Sequence, residues 1–570
     1  MPAIIRINLE TGSVSRREQE KDDLLLGGRR LTGSIIAAEV PPECEPLSGR
    51  NKLVLACGPL AGTLVSSANR LSIGAKSPLT GGIKESNAGG MTGYLMGRLG
   101  IRAVVLEGRP GAPHWTLIRI SADGVELLPG DPYVGLGLFE KARQLFERFG
   151  PKVGMTLIGR AGERLQFSAG ITNTDPDGEP SRYNGRGGLG AVMGSKGVQG
   201  IVYDASAAPK ETFVDRAAFM EANREVARRI NANPQTSQVY RQYGTAAMMD
   251  ATSAMGALPT RNFSTGFFEG YEKINAEAMH RTILERGGEG ATSHACMVGC
   301  LVKCSNIFPD RDGKKVCSPI EYENLGLLGS NLGIDDLDTI ALLNRMCNDF
   351  GYDTIETGAA IGVAMNAGLA AFGDREAALR LMREVGEGTP LGRVLGSGAG
   401  ITGKVFGCLR VPVAKNQAMP AYDPRAIKGV GVTYAVSPQG ADHTSGNTVK
   451  SPVKQHLKDG QETVSRNAQV GFTVMDNLGL CILASGGIGD LGVVADLLKA
   501  RWGVETTPEW LRREAWETVL LERGFNRRAG LTPAHDRLPE FFEEEINPAN
   551  GQVFDVPEDT LRRVYDEPPA

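Results

Sequence analysis

SIGAKSPLTGGIKESNAGGMTG (72–93) is a glycine-dense stretch set between two short apolar runs, NKLVLACGPL (51–60) and RAVVLEGR (102–109). Apolar runs of this length bounded by Gly, Pro and Asp read as strands. A second glycine-dense stretch, RYNGRGGLGAVMGSKG (182–197), follows HWTLIRISADGVELL (114–128) and leads into GIVYD (200–204). Residues 1 to about 205 are therefore expected to be mainly strands and turns. Glycine makes up 74 of the 570 residues, about twice the usual ~7%, and has no three-residue period that would mean collagen. Glycine used in this way brings backbone close to something, often a cofactor.

Beyond Pro209-Lys210-Glu211-Thr212, which reads as a domain junction, the period becomes helical. FVDRAAFMEANREVARRI (213–230) and IDDLDTIALLNRMCNDFGYD (334–353) carry apolar residues at helical spacing, with Asp335 or Asp336 as cap of the second. TIETGAAIGVAMNAGLAAFG (354–373) follows, with Thr354 read as its cap and Glu356 in the first turn. From about 413 loops mix with helices such as PEWLRREAWETVLLERGF (508–525), and the last thirty residues, acidic and Pro-rich, read as a surface wrap. No internal repeat is expected. The length implies two to four domains.

Lys and Arg number 62 against 66 Asp and Glu, a net charge of −4, and no basic tract stands out. Nucleic acid is thereby disfavoured as main partner, since phosphate neutralisation needs clustered positive charge. The start, MPAIIRINLETGSVSRREQEKDD, lacks the pattern of a signal peptide. No window offers the ~18–20 apolar residues of a membrane span. A cytoplasmic protein is the expectation.

Nine cysteines fit reduced thiols better than a disulfide framework. Cys44, Cys57, Cys317, Cys347, Cys408 and Cys481 are scattered, and most should be small buried residues. Cys296, Cys300 and Cys304 in HACMVGCLVKCSN (294–306) are grouped, which asks for a soft metal centre. Three readings stand: zinc completed by His294, an iron–sulfur cluster with a distant fourth ligand such as Cys481, or three inert core thiols.

Several stretches together resemble the aldehyde:ferredoxin oxidoreductase family of tungsten or molybdenum bis-pterin enzymes. They are NRLSIGAKSPLTGGIKESNAGG (69–90), GRGGLGAVMGSK (185–196), YGTA (243–246), LPTRNF (258–263), IEYENLGLLGSNLGIDD (320–336), AYDPRAIKGVGVTYAVSPQGADH (421–443) and MDNLGLC (475–481). They run in the family's order from end to end. The resemblance implies an α+β fold in which an N-terminal β domain (1–208) cradles the bis-pterin cofactor. Two mainly helical domains follow, 209–412 with the grouped cysteines and 413–570 with the fourth cluster cysteine.

It further implies site residues. Gly89 and Gly90, and Gly187, Gly188, Leu189 and Gly190, would let main-chain N–H groups approach the pterin phosphates, with Arg70, Lys76 and Arg186 adding charge. Asn87 matches a carbonyl ligand of a bridging Mg2+. Asp476 and Leu480 in one turn, and Asn348 and Asp353 in the matching one, would hold the pterin rings, with Asn348 standing where the family usually has Asp. Cys296, Cys300, Cys304 and Cys481 would bind a [4Fe-4S] cluster. The spacing C-x₃-C-x₃-C departs from the family's C-x₂-C-x₃-C and keeps Cys317 as an alternative ligand. The segment 320–336 matches the family's active-site strand. In it Glu323 is the candidate general base, with Tyr322 and His443 as donors that polarise a carbonyl.

The implied activity is oxidation of aldehydes to carboxylic acids, with ferredoxin or a ferredoxin-like subunit taking the electrons. A homodimer or a hetero-oligomer is expected. No His lies between 295 and 442, so the metal that some members carry at the dimer interface is expected to be absent. Two other readings are a subunit that reduces acids or aromatic thioesters at the same cofactor, and a cofactor-free electron-relay scaffold.

Overall fold

The computed structural model describes residues 1–111 and 114–569. Twelve strands form two six-stranded sheets. The first contains β1 (Ala3–Asn8), β2 (Val14–Glu18), β3 (Leu53–Cys57), β4 (Leu71–Lys76), β5 (Ile83–Ala88) and β6 (Ile101–Glu107), in the order β2-β1-β6-β3-β4-β5. The second contains β7 (Thr116–Ser121), β8 (Gly124–Pro129), β9 (Gly154–Leu157), β10 (Ile171–Thr174), β11 (Pro180–Asn184) and β12 (Val198–Asp204), in the order β11-β10-β9-β12-β7-β8.

Read from hairpin to meander, the two orders are the same. Strands β1 and β2 form a hairpin, β1 runs parallel to β6, and β3, β4 and β5 continue antiparallel. The set β7, β8, β12, β9, β10 and β11 repeats each of these pairings. The helices repeat too: Gly28–Glu39 and Leu138–Phe149 each follow the hairpin, and Thr92–Arg98 and Leu189–Ser195 each follow a glycine loop. The N-terminal region is thus one β unit used twice, which corrects the expectation of no repeat. The helices Gly28–Glu39 and Leu138–Phe149 also lie in what the sequence reading gave as strands and turns. Their apolar side chains cover the sheets, Leu31, Ile35 and Ile36 on one and Leu138, Ala142 and Leu145 on the other.

From residue 216 the chain is mainly helical. The helices expected from spacing form as Arg216–Ala232, Leu337–Phe350, Thr354–Asn366 and Pro508–Arg528, and Asp336 caps the second by accepting from Thr339 N. Two local expectations are corrected. Asp353, not Thr354, caps Thr354–Asn366 by accepting from Ile355 N, because its extended backbone frees the carboxylate. The expected active-site strand is helical: Tyr322–Asn324 continues into a wide turn, Leu325–Gly329, where Gly326 lets the chain press against Ala421.

The last thirty residues do not merely wrap the surface, since Phe541, Phe542, Phe554, Val556, Leu561 and Val564 enter the largest core. The scattered cysteines are buried except Cys408, which is partly so. Among the described residues no single helix is long and apolar enough to cross a membrane. One consecutive pair, Gln461–Leu478 and Ile482–Ile488, passes by length and composition but is bent by 108°.

Candidate active site and thiol centre

Each β unit carries a helix-ending turn from the helical region at the same place. In the first unit, helix Gln461–Leu478 ends at Gly479, and this turn lies on Gly58 so closely that a Cβ there would be 1.9 Å from Leu478 O. Arg70 N donates to Gly479 O at 3.1 Å. In the second unit, helix Leu337–Phe350 ends at Gly351, and a Cβ on Gly159 would be 2.5 Å from Phe350 O. Gly170 N donates to Gly351 O at 2.9 Å. Such backbone-on-backbone approach is open only to glycine. It sets MDNLGLC (475–481) and its counterpart CNDFGYD (347–353) on equivalent faces of the two units.

The glycine loops lie beside these turns. Gly89 is next to Cys296, whose Sγ would be 3.1 Å from an added Cβ, and Gly90 N donates to Cys296 O at 2.9 Å. Gly187 and Gly188 both have positive φ, and Leu189 and Gly190 open the helix Leu189–Ser195. Gly190 N donates to Ala169 O at 3.0 Å. Arg70 bridges the first loop and the thiols: it donates to Asn87 Oδ1 and, at 3.0 Å, to Asn87 O, and its Nη1 lies 3.8 Å from Cys481 Sγ.

Cys296, Cys300, Cys304 and Cys481 lie in one core. Cys481 is anchored by its N–H to Ser67 O at 2.8 Å, and the Lys303 N–H lies 3.5 Å from Cys300 Sγ. A hydrogen bond between Cys296 and Cys300, then burial, pushes the Cys296 thiol up, and the same bond lowers Cys300. Burial raises Cys304 and Cys481, which feel each other and Cys296, while Arg182 opposes the first shift and Arg70 the second. Among the described residues no three His, Cys, Asp or Glu side chains are drawn in to share one metal ion. His294 is committed on both ring nitrogens, Nε2 2.7 Å from Asp177 Oδ2 and Nδ1 3.2 Å from Arg182 Nη2. Cys317 lies in the other core, beside Asn344 and Arg345. Three buried thiols and the partly buried Cys296, with Arg70 and Arg182 nearby to favour thiolate, fit a sulfide cluster better than a single ion.

Between the β units and the helical region lies a second set of polar groups. Glu323, in the Tyr322–Asn324 turn, accepts from Ala421 N at 2.9 Å through Oε2, and its Oε1 lies 3.8 Å from His443 Nε2. The other ring nitrogen of His443 is 3.8 Å from Asp442 Oδ1. Asp442 takes Lys84 Nζ at 2.5 Å, with Arg186 Nη1 at 3.8 Å. Arg186 also faces Asp353 at 3.5 Å and Glu356 at 3.9 Å, and donates to the carbonyls of Ala441 (2.6 Å) and Ala418.

Burial pushes Glu323 up to about 8 against the pull of the Ala421 N–H and Arg186. Burial, against the attraction of Asp442, lowers His443 to about 4. Glu356 is pushed up to about 7, again by burial. Burial works against ionisation of Asp442, but Lys84 and Arg186 hold it well below the usual carboxylate range. At neutral pH this gives a protonated Glu323 facing a neutral His443. Asp476 is raised to about 6 by burial, with Arg29 and Arg70 opposing.

Several buried polar atoms here have no hydrogen-bond partner among the described residues: Glu323 Oε1, Asp353 Oδ2, His443 Nδ1, Arg186 Nε, Gln417 Oε1 and Tyr434 OH. Orphaned atoms converging on one interior region mark a place that receives a polar ligand. The residues therefore fit a large polar cofactor.

Of the residues expected from sequence, Glu323, His443, Arg186 and Asp353 meet here, and Asp476, Leu480, Arg70, Asn87 and Gly89 meet near the thiols. Asn348 is buried at the end of its helix, and its carbonyl accepts from Tyr183 OH at 2.5 Å. Lys76 is drawn away, its Nζ donating to Pro42 O and, at 2.7 Å, to Cys44 O. The Tyr322 hydroxyl donates to Ala421 O and contacts Thr252 Oγ1 at 3.0 Å, so it serves the core and is no free donor. The sequence reading missed Lys84, Asp442, Glu356, Tyr422 and Tyr434. Asp442, Tyr422 and Tyr434 lie inside the segment 421–443 that it had singled out.

A family model described as aldehyde ferredoxin oxidoreductase, N-terminal domain, matches residues 4–205, and one for domains 2 and 3 matches 221–567. The chain is 32% identical to a tungsten-containing aldehyde ferredoxin oxidoreductase of Pyrococcus furiosus, covering 95% of this chain and 91% of that one. It is 32% identical to the enzyme of the same name from Thermococcus kodakarensis, with the same coverage. A WOR-like subunit of an aliphatic sulfonate oxidoreductase of P. furiosus is 25% identical over 79% of this chain and 76% of that one. Among solved structures, the active-site complex BamBC of benzoyl coenzyme A reductase, in complex with 1,5-dienoyl-CoA, superposes with a TM-score of 0.80. Its identity is 18%, with 99% of this chain and 93% of that chain covered, which bears on fold alone.

Proposed function

The chain belongs to the aldehyde ferredoxin oxidoreductase family, and from that premise we propose that it oxidises aldehydes to carboxylic acids and passes the electrons through a [4Fe-4S] cluster to a ferredoxin or ferredoxin-like protein. The observation that carries this reading is the partly buried pair of Glu323 and His443, 3.8 Å apart, amid buried polar atoms without hydrogen-bond partners, with the four cysteines gathered in one core.

The two glycine loops with Arg70 would receive the phosphates of a tungsten (or molybdenum) bis-pterin, and the Asn87 carbonyl is the candidate Mg2+ ligand. Asp476 and Asn348 would meet the pterin edges, and Cys296, Cys300, Cys304 and Cys481 would hold the cluster. The metal bis-pterin, when bound, would supply the two-electron acceptor, and the cluster would carry those electrons away one at a time.

The protein's own task is the protons. Converting an aldehyde and water to an acid releases two protons with two electrons. Glu323, once ionised, takes the proton of the water that adds to the carbonyl carbon, and the neutral Nε2 of His443 is the next acceptor. Tyr422, whose ring is 5.1 Å from Tyr322 and 5.9 Å from His443, walls the pair with aromatic surface and limits water.

Elemental analysis of the purified protein, coupled to an aldehyde panel with a one-electron dye, tests the reading. Tungsten or molybdenum with about four irons per chain and dye reduction are expected. Iron without either heavy metal would leave only an electron-relay scaffold, and zinc without iron would remove the cluster.

A further inference from the structure

Residue 442 and its cation, Lys84, lie 358 positions apart in the chain. Lys84 rises from β5 of the first sheet, is fully buried, and donates to Asp442 Oδ2 at 2.5 Å and to Gln439 O at 3.3 Å. Asp442 Oδ1 accepts from Thr444 N at 3.0 Å and Thr444 Oγ1 at 2.8 Å. These donors fix the carboxylate's orientation, and Oδ1 faces both Arg186 Nη1 and His443 Nδ1, each at 3.8 Å. Nδ1 is buried and has no hydrogen-bond partner among the described residues, so that Asp442 acts on it through its charge. The charged or titratable groups facing the imidazole are Asp442 beside it, Lys84 from the sheet, Arg186 from the glycine loop, Glu323 from the Tyr322–Asn324 turn, and Tyr422. Of these, only Asp442 faces Nδ1 as an acceptor.

We propose that Asp442, clamped by Lys84, is a positioning residue that holds His443 as the Nδ1–H tautomer, so that its Nε2 lone pair always faces Glu323. The neutral imidazole has one N–H, and the neighbour of each nitrogen decides which one carries it. An ionised carboxylate at Nδ1 can only accept, so the proton sits there. Nε2 then meets the protonated Glu323 carboxyl as acceptor, which gives the pair one shared proton. This inference rests on the proposed proton route, but its readout does not.

The tautomer is read by 15N NMR of the oxidised holoenzyme labelled at histidine, with the His443 signal identified by its loss in His443→Gln. Wild type is expected to show Nδ1–H. Asp442→Ala should shift His443 largely to Nε2–H and lower kcat roughly tenfold, with KM within about twofold, whereas Asp442→Glu should restore Nδ1–H. Because Asp442→Ala strands the buried Lys84 charge, the double variant Lys84→Met/Asp442→Leu removes both charges together and should show the same tautomer change. Finding Nε2–H in wild type, or Nδ1–H unchanged in both carboxylate-free variants, overturns the assignment. A protein that does not oxidise aldehydes would sink the proposed function while leaving the tautomer result standing.

Discussion

Glu323 is a carboxyl that burial keeps protonated at neutral pH, opposite an imidazole that burial keeps neutral. If Glu323 acts as base, only its ionised form works, and that fraction rises with pH through the raised value. The expected profile of kcat/KM therefore climbs with an inflection near 8, and an inflection near the ordinary ~4.3 of glutamate would remove Glu323 from the role. Glu323→Gln should lower kcat by about 10²–10⁴, the usual contribution of a general base, in steady-state assays with unchanged tungsten content. If Cys481 is a ligand of the proposed cluster, Cys481→Ser should abolish its EPR signal on reduction while the chain still folds. Both catalytic candidates were legible because EYE and ADH each place an ionisable side chain in a recognisable segment. The residues that tune them were not: Lys84 reaches Asp442 across most of the chain, and no local pattern announces a partner so remote. The same distance hid the fate of Lys76, whose carbonyl partners Pro42 and Cys44 lie in a loop that composition does not mark.

Among elements, the turn 475–481 is held by its fit onto a glycine. Gly58→Ala would put a methyl against Leu478 O, so the turn must lift. The expected result is loss of iron with a far-UV CD spectrum close to wild type, because Cys481 rides on that turn. Iron retained in full would show that the turn tolerates the shift. Sequence periodicity found the long helices, where many positions vote on one face. It failed on Leu325–Gly329, a short apolar run bounded by glycine that strand and buried helix share. It also missed the duplicated β unit, although a trace is visible: GGMTGYLMGRLG (89–100) and GGLGAVMGSKG (187–197) share their glycines and a Met-Gly pair, one residue out of step. Repetition survives in topology because pairing and twist constrain backbone, while the side chains on each copy answer to different neighbours.

At the scale of the whole molecule, Arg29 from the first domain and Glu522 from helix Pro508–Arg528 form a two-pronged buried ion pair at 2.8 and 2.9 Å, and Asp476 lies 3.4 Å from the same guanidinium. Removing one partner leaves a buried charge uncompensated. Glu522→Gln should cost about 3–5 kcal/mol, seen as a lower thermal midpoint, and the double variant Arg29→Met/Glu522→Met should recover most of the loss. A Glu522→Gln midpoint equal to wild type would mean that water reaches the pair. The α+β class was legible in the shift of period near residue 209, since glycine-bounded runs and amphipathic helices differ over long windows. The last thirty residues were misread because their acidic, Pro-rich composition conceals a few phenylalanines that plug the largest core.

Three of the four gathered thiols are translated near position 300 and the fourth at 481, on a turn that must first dock on the opening sheet. A ribosome-bound chain therefore offers an iron–sulfur carrier an incomplete coordination shell for most of its synthesis. On the proposed cluster assignment, metallation is expected to follow release of the chain, and delivery to nascent chains would be premature.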